Sequence, residues 1–172
     1  MGPPCYELSG PPSVSRLAIG TCLLVVKDVT LTRTDVLMRD DVRAALDIDR
    51  ATTIADRTID ITTTGRRTGK PRRTEICFYR FGDVIYLSGM PRPRPRDWLA
   101  NLAADPHFTF HLKQGVIADL PGVAEVITKL AERRGPLTQF AEDVNVRNGP
   151  GSAVPDDWVE HSPLAKVTFL DA

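Results

Sequence analysis

The sequence predicts a mainly β, α+β domain built on an antiparallel β-barrel or sandwich, with short helices packed outside it. Short segments that alternate polar and apolar residues are joined by tight turns, as around Gly82-Asp83. No predicted strand is followed by the GxGxxG or GxxxxGKS/T motif of a doubly wound nucleotide-binding sheet. A length of 172 residues suits one domain with a substantial core and is short for two.

The first half of the folded region is predicted to hold one helix and three strands. Asp40–Leu46 has two acidic residues at its start and apolar residues at helical spacing. Thr58–Thr64 alternates around two isoleucines and is rich in β-branched residues. Glu75–Phe81 and Val84–Ser88 flank Gly82-Asp83, whose order favours a type II′ hairpin turn.

The second half adds helices and further strands. Asp97–Ala104 is predicted to be a helix, because Trp98, Leu99 and Leu102 share one apolar face and Asp105-Pro106 ends it. Pro121-Gly122 is predicted to turn the chain between two strands, and Gly135-Pro136 to break a helical pattern. The remaining predicted elements are the strands Phe108–Lys113, Val116–Leu120, Val123–Thr128 and Ala165–Leu170, the helical segment Lys129–Val144, the loop Asn145–Pro155 and a helical turn containing Trp158.

Composition narrows the classes of function. The chain has 22 basic and 22 acidic residues, and this zero net charge argues against nucleic acid as a partner. Three cysteines without a CxxC pair predict neither a disulfide framework nor a zinc site. His107 and His111 lack a third ligand, so we expect them at the surface or lining a pocket, and no metal. No Ser/His/Asp arrangement supports hydrolysis.

The N-terminal region is predicted to be an extension of the folded domain. The apolar segment Leu17–Val26 is too short to span a bilayer, and Lys27-Asp28 stands where a signal peptidase site needs small residues. We therefore expect a partly disordered extension over residues 1–37 and a single domain over 38–172. The expected location is the cytoplasm, with peripheral membrane contact as the alternative, and Met38 is an alternative start of the natural chain.

A basic, glycine-containing segment between two predicted strands is the strongest candidate for a ligand site. Thr62–Arg73 reads TTTGRRTGKPRR, with two glycines that allow the backbone to approach a ligand closely. Hydroxyl groups such as that of Thr64, exposed backbone N–H groups and five cations are the donors that bind phosphate. The same composition also fits a solvated hairpin tip.

A second cationic segment connects a predicted strand to a helix. Ser88–Trp98 reads SGMPRPRPRDW, and its alternating prolines hold it extended and outside a sheet. Its arginines, Arg94 and Arg96 among them, are candidates for an anionic tail of a ligand, and a solvated linker is the alternative. Trp98 fits the core better than a stacking role.

Together these residues resemble one known family. The TTTGR segment, Ser88, Asp97-Trp98, Asn101-Leu102 and Asp105-Pro106 are similar in type and spacing to the deazaflavin-dependent nitroreductases, over roughly residues 40–171. These actinobacterial proteins are split β-barrels, related in fold to pyridoxamine-phosphate oxidases that bind FMN. The resemblance implies an antiparallel split β-barrel and an F420H2-dependent reductase.

The resemblance also implies roles for individual residues. Those around the coenzyme phosphate would be Arg66, Thr68, Gly69, Lys70, Pro71 and Arg72. Ser88, as an orienting residue, and Gly89 would lie beside the deazaflavin ring, with the Trp98 helix closing the wall. A reduced deazaflavin donates hydride, so the protein would hold the acceptor, exclude water and supply hydrogen-bond donors.

Two departures from the family's pattern leave the identity of the hydride acceptor open. Gly89, Met90 and the Pro/Arg run replace the family's lysine and glycines after the serine. Residues 129–160 contain no tyrosine, and the candidates to replace the family's tyrosines are Gln139, Asn145, Trp158 and His161.

The expected activity is therefore hydride transfer from F420H2 to a small quinone-like, enone or nitroaromatic acceptor. The alternatives are a non-catalytic barrel that binds a fatty acid or other lipid, and a relative that uses FMN. The sequence leaves open whether the chain is a monomer or a homodimer.

Overall fold

The computed structural model describes residues 38–170. The expected extension over 1–37, including Leu17–Val26, lies outside these residues. The elements in chain order are α1 (Asp40–Leu46), β1 (Thr58–Thr64), β2 (Pro71–Phe81), β3 (Val84–Ser88), α2 (Asp97–Ala104), β4 (His107–Leu112), β5 (Ala118–Val126), α3 (Leu130–Asn148), α4 (Pro155–His161) and β6 (Leu164–Phe169).

Six strands form a closed antiparallel barrel in the order β1-β2-β3-β6-β5-β4, and β4 returns to pair with β1. The register follows from alternation: Ile59 and Ile61 of β1 are fully buried, while Asp60 between them and Thr62 after them are only partly buried. The predicted class, an antiparallel barrel with helices outside, is confirmed.

The barrel core is filled by aromatic and aliphatic side chains and closed by α2. Phe78 and Phe110 meet edge to face, with ring centroids 5.4 Å apart. Trp98 and Leu102, one helical turn apart on α2, belong to the same buried cluster. Each such side chain contributes about 1.5–3 kcal/mol by leaving water. Trp98 is therefore a core residue.

A second cluster joins α3 and α4 to the outer side of β2. The ring of Tyr79 stacks on Phe140 of α3 at 4.5 Å and meets Trp158 of α4 edge to face at 6.3 Å. Burial raises the pKa of Tyr79 to about 12. This packing holds both helices against the barrel.

The predicted turn at Pro121-Gly122 is wrong, because β5 runs through it as one strand. The carbonyl of Pro121 accepts a hydrogen bond from the N–H of Leu170, the residue after β6. The nitrogen of Pro121, which has no hydrogen to donate, points to the same side and therefore faces the end of β6. A Cβ on Gly122 would lie 3.1 Å from the ring of Phe108 and 3.3 Å from the Thr168 carbonyl. Glycine thus marks a close approach inside the barrel, where the sequence was interpreted as a turn.

The predicted break at Gly135-Pro136 is also wrong, because α3 continues from Leu130 to Asn148. The residue before a proline disfavours the helical backbone conformation partly because its Cβ clashes with the proline ring, and Gly135 has no Cβ. Pro136 and Leu137 are buried, as are Phe140 and Val144 further along the helix. Their burial offsets the cost of an internal proline, about 3 kcal/mol.

The other differences concern where elements end. β2 begins at Pro71, four residues before the predicted Glu75, so that part of the basic segment is strand. β4 and β6 each lie one residue before their predicted ranges. Asn145–Asn148, predicted as loop, belongs to α3.

Candidate functional site

The basic segment forms a hairpin whose connection is the tight turn Gly65–Lys70, between β1 and β2. The N–H groups of Thr68 and Gly69 donate to the Gly65 carbonyl at 3.0 and 2.8 Å, and the Gly65 N–H donates to the Lys70 carbonyl at 2.9 Å. Gly69 has a φ of +64°, which L-residues with side chains rarely adopt. The exposed part of the predicted loop is therefore shorter than Thr62–Arg73.

The turn is tied to the start of α2 by one buried amide. Asn101, 5% exposed, accepts the backbone N–H of Arg66 at 3.1 Å and donates to the hydroxyl of Thr63 at 3.1 Å. The guanidinium of Arg66 also pairs with Asp97 at 3.0 Å. These contacts explain why Asp97 and Asn101 accompany the turn in the sequence. No role had been assigned to Asn101, although an asparagine on the apolar side of a helix is a signal for a buried polar link.

The cations of the segment fall into two groups. Arg66 is paired with Asp97, and Arg73 with Asp60 at 2.9 Å. Within residues 38–170, the side chains of Arg67, Lys70 and Arg72 are exposed and make no ion pair. Three cations around one turn are thus free for an anion.

Strand alternation separates Arg72 from its neighbour. Arg73 reaches Asp60 on the outer face of the barrel, where Lys113 also binds Asp60 at 2.7 Å. Arg72 lies opposite Thr63, which faces inward, so its side chain leaves the strand on the other side. Arg72 belongs to the turn, and Arg73 to the outer network.

Ser88 ends β3 with its side chain fully buried, and its hydroxyl donates to the Pro163 carbonyl at 2.8 Å. The next residue, Gly89, lies against the guanidinium of Arg96, because a Cβ there would be 3.3 Å from Nη2. The hydroxyl of Ser88 thus joins β3 to the segment before β6. The backbone that follows Ser88, beginning with Gly89, is more exposed than Ser88 itself.

The Pro/Arg segment borders a cleft of about 420 Å³, closed on the other side by the start of α3 and the end of α4. The volume is in the range of small-molecule and cofactor sites. Four arginines and one glutamate give the lining a positive charge. The lining residues are Arg92, Pro93, Arg94, Pro95, Arg96, Leu99, Thr128, Leu130, Arg133, Val159, Glu160, His161, Ser162 and Pro163.

Two donors in this lining have no partner within residues 38–170. They are the buried Nε of Arg96 and the hydroxyl of Ser162, a residue 2% exposed. Burial, and secondarily the charge of Arg92, lowers the pKa of the Arg96 guanidinium. Arg133, in contrast, donates to the carbonyls of Ile127, Val159 and Ser162 and serves the fold.

The basic turn and the cleft adjoin the start of α2 from two directions. Arg66 of the turn pairs with Asp97, and the preceding residue, Arg96, lines the cleft. Of the predicted coenzyme-binding residues, Arg94 and Arg96 line the cleft, while the turn residues do not. Trp98 is in the core, and Leu99 is the α2 residue that reaches the cleft.

Among the expected substitutes for tyrosine, His161 alone lines this cleft, and it is half exposed. Trp158 is buried, Asn145 bonds the backbone of Ala153, and Gln139 donates to Asp143 at 2.8 Å.

The two other histidines lie elsewhere. His111 is buried on the outer face of the barrel, between Thr62 at 2.8 Å and Asp119 at 2.6 Å, and His107 is exposed beside Asp105. In the described part of the chain, no three His, Cys, Asp or Glu side chains are grouped to hold a metal ion. None of the helices described there is long and apolar enough to cross a membrane.

The fold is that of a barrel protein, and these cationic groups form a candidate site for an anionic ligand of coenzyme size. Residues 34–148 match the F420H(2)-dependent quinone reductase family, and the chain belongs to that family. It is an F420H2-dependent oxidoreductase, and its coenzyme is the deazaflavin F420.

Solved structures share the fold at low sequence identity. A conserved hypothetical protein from Mycobacterium tuberculosis is 17% identical with a TM-score of 0.54, over 77% of this chain and 82% of its own. HutZ, the heme storage protein of Vibrio cholerae, is 12% identical with a TM-score of 0.50, over 77% and 89%. An F420-H2 dependent reductase is 16% identical over 65% and 94%, with a TM-score of 0.43 that is too low to carry an inference. Comparison with curated proteins found no significant match.

The residues present fit F420. Three unpaired cations surround the turn, and two donors without partners line the adjoining cleft. A coenzyme that carries a phosphate and carboxylates is the type of ligand that such groups bind.

Proposed function

We propose that this chain reduces quinone-type acceptors with F420H2, with the coenzyme phosphate bound at the Gly65–Lys70 turn and its oligoglutamate tail along Arg92–Arg96. The observation that carries the proposal is the unpaired state of Arg67, Lys70 and Arg72 around a turn held in shape by Asn101. Charge-assisted contacts to phosphate are the strongest hydrogen bonds such a turn can form.

The turn's own structure suits a phosphate. Its shape is set by hydrogen bonds among Gly65, Thr68, Gly69 and Lys70, so little order has to be gained when the anion binds. The Thr68 hydroxyl adds a neutral donor beside the cations, whereas the Thr64 hydroxyl is bonded to the carboxylate of Asp105 and the Gly69 N–H to the Gly65 carbonyl. Pro71 then starts β2, which anchors Arg72.

The side of the cleft opposite the arginines, where His161 and Ser162 lie, is assigned to the acceptor and to the reacting ring of the coenzyme. The bound coenzyme supplies hydride from its ring, and the protein's task is to hold and protonate the acceptor. Negative charge develops on a quinone oxygen when it receives hydride, and the hydroxyl of Ser162 is a donor without a partner in the described residues. His161, at the same cleft, is the candidate proton donor to the acceptor.

Two titrations test the proposal. Addition of the protein should quench F420 fluorescence with saturation, and F420H2 should be oxidised when menadione is present. Binding of FMN in place of F420 would assign the chain to the flavin-using alternative. A co-purified fatty acid with no binding of either coenzyme would support the lipid-binding alternative and refute the proposal.

A further inference from the structure

A second cleft, about 330 Å³ in volume, lies between the segment after α1, the β2–β3 turn and α3. None of its residues belongs to the coenzyme site proposed above. Its lining residues are Ile48, Asp49, Arg50, Arg57, Arg80, Phe81, Gly82, Gln139 and Asp143.

Arg57 is the most unusual residue of this lining, because it is charged and only 1% exposed. Its Nη2 donates to the carbonyls of Asp49 and Thr52 at 2.8 and 3.0 Å, and its guanidinium lies 5.2 Å from the ring centre of Tyr79. Its Nε is buried without a partner, and no carboxylate within residues 38–170 pairs with it. A buried cation in this state carries a large desolvation cost.

A second guanidinium without a carboxylate adjoins Arg57. Arg147 of α3 has both Nε and Nη2 buried without partners, and its Nη1 reaches only the Arg50 carbonyl, at 3.5 Å. Burial lowers the pKa of Arg57, and the charge of Arg147 lowers it further. Two like charges are therefore close enough to repel each other.

The nearest buried carboxylate is occupied by other groups. Asp143 is 5% exposed and binds the Nε of Arg50 at 3.2 Å and the amide of Gln139 at 2.8 Å. Arg50 also approaches Glu142 at 3.6 Å. The charges of Arg57 and Arg147 are thus left without a directly bonded carboxylate in the described residues, while unfilled space adjoins Arg57.

We propose that this second cleft is a binding site for a small oxyanion, a phosphate or a carboxylate, held by Arg57 of its lining and attracted by the nearby positive charge of Arg147, which does not line the cleft. The planar guanidinium of Arg57 presents donors that match the oxygens of either group, and its Nε lacks a protein partner in the described residues. Binding places negative charge near two cations that otherwise repel. The bound anion stabilises the fold of the region where α3 meets the segment Asp49–Arg57.

Thermal unfolding in phosphate and in sodium chloride of matched ionic strength tests the site, with no coenzyme present. At a phosphate concentration about ten times the dissociation constant, the wild-type Tm should rise by roughly 3–6 °C above its chloride value. Arg147→Met should reduce this rise. In chloride it should be at least as stable as the wild type, because it removes a cation that repels the buried Arg57. Acetate in place of phosphate distinguishes the two anion classes.

Two further variants separate this site from others. Arg134→Gln alters an exposed arginine of the same helix and should keep the full phosphate response. Lys70→Gln with Arg72→Gln removes cations of the coenzyme turn and should keep the part of the response that belongs to this cleft, so that failure of one site is distinguishable from failure of the other. Phosphate binding to this double variant, followed by phosphorus NMR, is the second readout if Arg147→Met does not fold. Three results would overturn the proposal. They are a wild-type Tm no higher in phosphate than in chloride, a phosphate response retained in full in Arg147→Met, and a phosphate response lost in the double variant.

Discussion

The side chain of Asn101 accepts the backbone N–H of Arg66 at 3.1 Å, and this contact joins helix α2 to the turn of the basic hairpin. The same amide donates to the hydroxyl of Thr63 on β1. One buried residue therefore sets the position of the turn against both the helix and the barrel.

Asn101→Ala should loosen the turn and destabilise the domain. It leaves the Arg66 N–H without its partner and the Thr63 hydroxyl with only the Arg72 carbonyl, at 3.5 Å, which costs about 1–3 kcal/mol. The free energy of unfolding by urea should fall by that amount, and the affinity for F420 should fall as well. Asp97→Asn is the matched control, because it removes only an exposed ion pair of about 0.2–1 kcal/mol. Equal effects of the two variants would contradict the role given to Asn101.

Arg94→Gln with Arg96→Gln should weaken binding of long-tailed F420 more than binding of F420 without glutamates. Exposed charge pairs contribute about 0.2–1 kcal/mol each, so for the two arginines we expect roughly a two- to thirtyfold larger loss for the long-tailed form. Fluorescence titration at low and high salt measures both affinities, and the difference should shrink as salt rises. Arg134→Gln serves as the control. If both coenzyme forms lose affinity equally, the tail does not lie along this segment.

Asp60→Asn should destabilise the barrel at neutral pH but not in acid. Hydrogen bonding from Lys113, and then from Arg73, lowers the pKa of the Asp60 carboxyl. Its contribution is therefore present above the unfolded pKa of about 3.9 and is lost as pH falls through the lower native value. Unfolding at pH 7 should show a loss of about 0.2–1 kcal/mol, and the two proteins should converge as the pH falls below the native pKa of Asp60. A difference that persists in acid would assign the effect to packing instead.

Gly122→Ala should destabilise the protein through steric overlap. The added methyl group would meet the ring of Phe108 at 3.1 Å and the Thr168 carbonyl at 3.3 Å, inside a paired region of β5. Overpacking of this kind costs about 1–3 kcal/mol. A clear fall in Tm is expected, and an unchanged Tm would show that the strand has room there.

The elements that depend on local chemistry were predictable from the sequence. β1 and α2 begin and end as predicted, because alternation and helical spacing are local properties of those segments. Pro121-Gly122 and Gly135-Pro136 were misinterpreted because tertiary contacts decide their conformation: β6 meets the carbonyl side of Pro121, and buried neighbours hold α3 through Pro136.

The candidate site was predictable only in part. The cations of the turn stand next to one another in the chain, whereas the pairing of Arg73 with Asp60 and of Arg66 with Asp97 depends on neighbours in space. The cleft lined by Ser162 and the buried position of Arg57 likewise arise from segments far apart in the sequence. Periodicity carries no information on such contacts.

The affinity for F420 of three single variants of β2 and its turn tests the central claim most directly. Lys70→Ala and Arg72→Ala should each weaken binding by about 1.5–3 kcal/mol, roughly ten- to 150-fold, because each removes a charge-assisted contact to phosphate. Arg73→Ala should leave the affinity unchanged, since that guanidinium is bound to Asp60 on the outer face. Unchanged affinity in Lys70→Ala and Arg72→Ala, or an equal loss in Arg73→Ala, would contradict the placement of the phosphate at this turn.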